Sequence, residues 1–305
     1  VAEGVALMLL TVAIWGGWVV VSRMGVTGSM NAYDIVAVRF MVAGLLLLPV
    51  LLKKGMKVGP YGYGGALVLM MCMGAPYNVM TISAFRFAPA SHSAIVYAST
   101  TGMTCLMSYW FLKESMTAKK IAGLVISVGG ILLLMVVRPS VTVPHMWIGH
   151  VLLFVAGCMW GGYAVFAKAW RVDPVQGTAV VAVSSMLVYL PIYFLFLPHQ
   201  LGTAALGDIA FQGFYQGVLT NVLALWAYNK GVELLGASGA AIFIPLVPVM
   251  AALEAIPFLK EVPGHMELAG ILLAGMGVLL ASGALSGTRK RITLRLRQRR
   301  KAPKH

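Results

Sequence analysis

The stretch "IWGGWVVVS" at residues 14–22 returns as "MWGGYAVFA" at 159–167, 145 positions further on, inside another apolar run. The pair is part of a longer duplication. "FLKE" at 111–114 recurs at 258–261, "ASHSAI" at 90–95 matches "ASGAAI" at 237–242, and "AGLVISVGGIL" at 122–132 matches "AGILLAGMGVL" at 269–279. "NV" at 78–79 resembles "NV" at 221–222. The chain therefore reads as two copies of one unit, residues 1–140 and 141–286, followed by a basic tail, 287–305.

Composition sets the class. The chain is 60% hydrophobic and 10% charged, against about 45–50% and ~25% in soluble domains. Apolar stretches of about twenty residues suffice to cross a hydrocarbon core. They fall at 4–22, 34–52, 61–82, 88–110, 118–137, 147–167, 176–197, 209–229, 238–258 and 265–284. Each copy holds five. An odd number of spans makes the second copy enter the membrane from the opposite side, so the expected fold is all-α and integral to the membrane. It has ten transmembrane helices in two inverted five-helix repeats around a central cavity. Inverted repeats are a device of secondary transporters. Two similar bundles of opposite orientation exchange conformations, and one sequence then encodes two access states.

Lys and Arg collect on alternate connections: Lys53, Lys54, Lys57; Lys113, Lys119, Lys120; Lys168, Arg171; Lys230; and the tail. Arg23, Arg86, Arg138 and Lys260 are left for the other side. By the positive-inside rule both termini are expected in the cytoplasm. The tail reads as an orientation signal lying against anionic headgroups, and no nucleic-acid motif is present. The first span is read as retained, since it exceeds a signal-peptide core and carries the repeated cassette. Val1 in place of an initiator Met leads to the expectation that residues precede it. Cys72, Cys105 and Cys158 have no metal-like spacing and read as buried thiols; no metal or cofactor is expected.

The order of motifs resembles the EamA-type, ten-helix members of the drug/metabolite transporter superfamily. The matching features are Trp-Gly-Gly in spans 1 and 6, "VRFMVAGLLLLP" (38–49), Leu-x-Glu closing spans 4 and 9 at Glu114 and Glu261, and the glycine pattern of spans 5 and 10. The resemblance covers everything but the tail. It implies that spans 1–4 and 6–9 surround the cavity and that 5 and 10 lie outside. The family often carries Pro in both span 4 and span 9. Here span 9 has Pro245 and Pro248, while span 4 has Thr101-Gly102, so the two halves are expected to bend differently.

Candidate site residues follow from what a wet cavity in a membrane needs. Gly16, Gly17, Gly161 and Gly162 let backbones approach, and with Pro245 and Pro248 they are candidates for packing or gating. Trp15, Trp18, Trp160 and Tyr163 stand beside those glycines and are candidates for a cavity wall, whereas Trp110 and Trp147 read as interfacial. Asn78 and Asn221 hold equivalent places, with Tyr77 and Trp226 nearby in "PYNVMTIS" and "TNVLALWAYN". Each Asn is read either as a substrate contact or as a bond between helices. Tyr97, Thr100 and Thr101 belong to a hydroxyl-rich span 4, a wet face unless the hydroxyls bond their own helix. Arg39 and Glu254 are candidates for coupling or for carboxylate contact, although snorkelling to the surface is the favoured reading of both. His92 and His150 are expected at the interface.

No Lys lies deep in a span, and desolvating a phosphate demands fixed cations. This disfavours nucleotide sugars and triose phosphates, which relatives in the superfamily carry. Aromatics, Met, Asn and hydroxyls suit a neutral or zwitterionic small molecule. The resemblance points to export of amino acids or related metabolites across the inner membrane, with the aromatic amino-acid exporters as the branch suggested. Export of drugs or other metabolites, and a facilitative channel, are the alternatives. Paired catalytic groups are absent from the spans, so an enzyme is not expected. The glycine-rich spans 5 and 10 are read as surfaces where a second copy could pack, giving a monomer or weak dimer.

Overall fold

The computed structural model describes residues 1–137, 141 and 143–283; Arg138 and the basic tail lie outside them. Every regular element among the described residues is helical. In order they are α1 (Ala2–Thr27), α2 (Ala32–Lys54), α3 (Tyr63–Met73), α4 (Ala75–Phe87), α5 (Ala94–Phe111), α6 (Ala118–Val136), α7 (Met146–Ala169), α8 (Pro174–Phe196), α9 (Leu206–Gln212), α10 (Ala224–Leu235), α11 (Ala237–Ala240), α12 (Leu246–Leu259) and α13 (His265–Ala281). A 3-10 turn (Ala90–Ser93) leads into α5, and a π-helical stretch (Gly213–Leu223) joins α9 to α10.

Six helical stretches are long and apolar enough to cross a membrane: α1, α2, α3 with α4 as one stretch, α6, α7 and α8. The other expected spans are shorter or broken for local reasons. Helix α5 is 18 residues long and carries the hydroxyl run of span 4. The span at 209–229 falls across the π-helical stretch. The span at 238–258 is interrupted by a turn at 241–245, with Pro245 at the N-cap of α12. Its counterpart α5 runs without a break through Thr101 and Gly102. The two segments bend differently because proline removes a donor and crowds the preceding turn.

Helix starts are set by capping. Asn31 Oδ1 accepts the Asp34 amide at 2.9 Å and Asp34 Oδ2 accepts the Asn31 amide at 3.0 Å, a closed capping box. The other Asp34 oxygen accepts the Tyr193 hydroxyl at 2.6 Å and the Gln200 amide at 3.0 Å, which fastens the start of α2 to the end of α8. Asp173 caps α8, ahead of Pro174, by accepting the Gln176 amide at 2.8 Å.

Packing follows the duplication. Helix α1 lies on α12 and α10; α7, which carries the second cassette, lies on α5 and α4. Helix α2 packs on α8, and α6 on α13. In the α6–α13 seam a Cβ on Gly130 would meet the Ala274 backbone, and one on Gly123 would meet that of Ala281. These glycines are therefore taken up inside one chain, while Val125, Val128 and Leu132 point outward. A second copy would meet that branched outer face, not the glycines.

Candidate functional site

Two clusters meet between the halves. The first is aromatic. The Trp160 ring lies 5.5 Å from Tyr97 and 6.1 Å from Tyr77, edge-on to both. Trp15, its partner in the repeated cassette, packs with Trp160 around Val12, Tyr97 and Val247 and leans on Tyr228 at 5.5 Å. Trp15 and Trp160 thus converge on one place, held there by close backbones. A Cβ on Gly16 would come within 2.9 Å of Met250 on α12, and one on Gly161 within 2.7 Å of Met103 on α5. Gly17 leaves room for the Tyr215 hydroxyl and for Glu254, whose Oε2 is 3.0 Å from where that Cβ would stand. Gly162 meets nothing nearer than 3.7 Å. Pro245 and Pro248 are buried at the start of α12.

The second cluster is polar and centres on Arg39. The expected snorkelling does not occur: Arg39 is only 7% exposed, with its guanidinium turned inward. Its Nη1 donates to Gln216 Oε1 at 2.8 Å and its Nη2 to Asn221 Oδ1 at 3.3 Å. Trp18 Nε1 donates to the same Gln216 oxygen at 2.7 Å, and the Trp18 ring lies 5.7 Å from the guanidinium carbon. Gln216 Nε2 then donates to Ser22 and Gln212. Arg39 Nε has no hydrogen-bond partner, and among the described residues no carboxylate pairs with this cation. Helix α2 carries Arg39 inward because α8 and the π-helical stretch cover that face. A buried cation held only by neutral oxygens favours any anion that reaches it.

The asparagines serve breaks in their own helices. Asn78 donates to the Met73 and Gly74 carbonyls at 3.2 and 2.9 Å, where α3 gives way to α4. Asn221 donates to the Gln216 carbonyl at 2.7 Å within the π-helical stretch. Each asparagine makes one bond that runs five residues back, and Asn78 adds one that runs four back. The Asn221 side-chain oxygen turns to Arg39, whereas the Asn78 oxygen is buried without a partner. Thr100 and Thr101 donate to Val96 and Tyr97 carbonyls of their own helix at 2.7 and 3.0 Å, the alternative to a wet face.

Two candidates stand apart. Tyr163 packs by Gly177 with the separate apolar cluster around Leu69 and Val180. Trp226 is 56% exposed. Glu254, expected to snorkel, lies half-buried against Gly17 and Tyr215.

Ion pairs that the sequence reading missed join the end of each cassette to the other half of the chain. Arg23, one residue beyond the first cassette, pairs with Glu261 of the second "FLKE". It also donates to the Phe85 and Ala88 carbonyls at 2.5 and 2.9 Å. Lys168, one residue beyond the second cassette, pairs with Glu114 of the first "FLKE" at 2.5 Å, and Lys120 adds a contact at 3.4 Å. The Arg23–Glu261 pair is buried, with side-chain exposures of 5% and 11%, while Lys168 and Glu114 stand at 65% and 33%. Extending the repeat alignment by one residue would have found both. His92 and His150 are buried within the protein and in contact with each other.

The EamA-like transporter family matches this chain twice, over residues 2–136 and 147–283. The chain is 27% identical to the uncharacterized transporter YyaM of Bacillus subtilis (strain 168) over 221 residues, which is 68% of this chain and 70% of that protein. It is 24% identical to the uncharacterized inner membrane transporter YedA of Escherichia coli (strain K12) over 251 residues, 79% and 78% of the two. An uncharacterized transporter of Archaeoglobus fulgidus is 23% identical over 90% of this chain and 96% of its own. A solved crystal structure superposes with a TM-score of 0.61 at 16% identity, covering 95% and 99% of the two chains, which shows a shared fold.

Proposed function

We propose that this chain, which belongs to the EamA-like transporter family and is a membrane transporter, is a secondary transporter exporting amino acids or related small zwitterions across the inner membrane. Apolar and aromatic amino acids fit best. In this reading ten spans form two inverted repeats, the cytoplasm holds both termini, and the seam between the halves is the carrier site. The single observation that carries the substrate class is the Arg39 guanidinium, buried beside Trp18 with neutral partners only. A substrate carboxylate supplies the charge that this cation lacks. The Trp160–Tyr77–Tyr97 cluster takes the apolar body. One cation suits a single carboxylate better than a phosphate dianion, so the inward turn of Arg39 does not reopen the phosphorylated substrates.

Alternating access is supported by the paired ends. Arg23–Glu261 and Lys168–Glu114 occupy matching places in the two copies, and one pair is buried while the other is open to solvent. Exchanging which pair is buried exchanges which end is closed. Partners that are freed and rehydrated in turn keep the two states close in energy, as a carrier needs.

The test uses proteoliposomes loaded with labelled phenylalanine, tryptophan or threonine. Saturable efflux, accelerated by unlabelled substrate on the far side, is expected; the acceleration separates a carrier from a channel. No saturable movement of any amino acid removes the substrate reading. Cysteine labelling at His145 that places it on the same side as both termini removes the inverted arrangement.

A further inference from the structure

We propose that the turn between α2 and α3, together with the end of α7, binds an anionic phospholipid. Its phosphate meets Lys53, Lys57 and Arg171, and an acyl chain lies along Tyr63, Leu67 and Met71. The site is independent of the substrate reading. At this end of the bundle α2 and α7 stop and α3 and α8 start. Lys53, Lys57 and Arg171 are exposed. None of them pairs with a carboxylate among the described residues, because the acidic groups nearby are taken. Asp173 is held by Lys54 at 2.7 Å, and Glu114 by Lys168 and Lys120. Three positive charges are left without a counter-ion where the chain enters an apolar span.

The segments that carry these cations are fixed in place. Gln176, in the first turn of α8, donates from Nε2 to the carbonyls of Lys54, Gly55 and Lys57 at 3.2, 3.1 and 3.3 Å. Gly59, at φ 60, lets the turn lie on the Trp170 ring, where a Cβ would come within 2.7 Å. Tyr61 meets the same ring edge-on at 5.6 Å, and Phe166 stacks on it at 5.2 Å. Beside Trp170, α7 ends in a Schellman turn. The Val172 amide donates to the Ala167 carbonyl at 2.9 Å and the Arg171 amide to that of Lys168 at 3.2 Å. The left-handed position of that turn, usually glycine, holds Arg171 at φ 52. Lys57 and Arg171 thus stand on two segments that meet at one ring. A site arranged before its ligand arrives loses less freedom on binding.

A free phosphate would satisfy the cations alone; the side chains next to them point to a lipid. Lys57 Nζ lies 5.4 Å from the centre of the Tyr63 ring. Tyr63 opens the stretch Tyr63–Phe87, which is long and apolar enough to cross a membrane. Leu67 and Met71 follow at four-residue intervals and so lie on the same side of α3. All three are exposed. From the end inward the order is cation, phenol ring, then two aliphatic side chains. A phospholipid runs in the same order, from phosphate through glycerol esters to hydrocarbon. Tyrosine rings are favoured at headgroup level, and the hydroxyls of Tyr61 and Tyr63 are donors for phosphate or ester oxygens. Lys and Arg add charge-assisted bonds to the phosphate. The choline of phosphatidylcholine brings its own cation, which these three repel; phosphatidylglycerol brings none.

The experiment gives the full chain, in detergent, phosphatidylglycerol or phosphatidylcholine with a diazirine in the acyl chain. After photolysis the cross-links are mapped by peptide mass spectrometry. Phosphatidylglycerol is expected to label residues 61–71 about tenfold more than phosphatidylcholine at equal concentration, since each cation near a headgroup adds to the attraction. The basic tail attracts the same headgroup, but its labels fall outside 61–71, so mapping separates the two. Arg171→Gly removes one cation at a backbone position that suits glycine, so its effect is not one of misfolding. It is expected to lower the preference severalfold. Lys53→Gln, Lys57→Gln and Arg171→Gln combined are expected to abolish it. Equal labelling of 61–71 by both lipids overturns the proposal, as does a preference that survives in the combined variant. Glycerol phosphate is the competitor without chains. If it displaces the lipid at the lipid's own concentration, the site takes a soluble phosphate and the lipid assignment falls. Phenylalanine movement does not enter the test, so either reading fails without the other.

Discussion

Arg23 of α1 is ion-paired with Glu261 of the α12–α13 connection, 238 residues further along, and both are buried among the carbonyls of Phe85 and Ala88 and the amide of Ala90. One carboxylate thereby ties α1, α4 and the turn before α5 to the second half of the chain. Removing one partner leaves the other charge buried and uncompensated, which costs about 3–5 kcal/mol. Glu261→Gln is therefore expected to lower thermal stability in detergent sharply, and the charge reversal Arg23→Glu with Glu261→Arg to recover part of the loss. A Glu261→Gln chain that melts with the parent would show that the pair holds nothing.

The matching pair at the other end should behave differently. Lys168 and Glu114 are partly exposed, so Glu114→Gln costs less than about 1 kcal/mol. The Lys168 ammonium, hydrogen-bonded to Glu114, holds that carboxyl below the usual range, and Lys120 adds to the effect. A depressed carboxyl contributes stability at neutral pH and loses it as the pH falls through the carboxylate range. The melting difference between parent and Glu114→Gln is expected to be small at neutral pH and to vanish in acid. A difference that grows on acidification would contradict the assignment.

Arg39 should separate function from stability. It has no counter-ion among the described residues, and a buried charge replaced by a packed apolar side chain often costs nothing. Arg39→Met is expected to keep its yield, and its stability within about 1 kcal/mol of the parent, while phenylalanine counterflow falls by more than about tenfold. Arg39→Lys should rescue only a fraction, since an ammonium does not reproduce the planar fork that reaches Gln216 and Asn221. Undiminished counterflow in Arg39→Met would remove the carboxylate reading.

The aromatic wall gives a paired comparison. Trp160→Ala is expected to lower transport without lowering yield in membranes, because its ring contacts Tyr77 and Tyr97 in the seam. Trp226→Ala should leave transport unchanged, its ring being more than half exposed. If the two variants transport alike, the seam is not where substrate sits.

Asn78 and Asn221 fill similar backbone roles yet should differ in consequence. Asn78→Leu leaves the Met73 and Gly74 carbonyls short of a donor, a cost of about 1–3 kcal/mol that a melting curve would show. Asn221→Ala frees one hand of Arg39 as well, so it is expected to depress counterflow beyond any loss of stability. Equal effects of both on transport would count against a special link to Arg39.

The sequence alone determined that this is a helical membrane protein built from a duplicated unit and related to EamA-type transporters. Span length and low charge settle the first point, since a hydrocarbon core admits little else. The ordered, repeated motifs settle the second. Which way Arg39, His92, His150, Asn78 and Trp226 point was decided only by tertiary structure. In a soluble helix the apolar stripe marks the buried face. Here lipid is as apolar as the protein interior, so nearly every face of α1, α7 or α8 reads alike, and polarity along the chain does not say which side meets a neighbour. Packing of α8 and the π-helical stretch over α2 turned Arg39 inward, and packing of α13 on the turn before α5 buried the histidines beside Glu267.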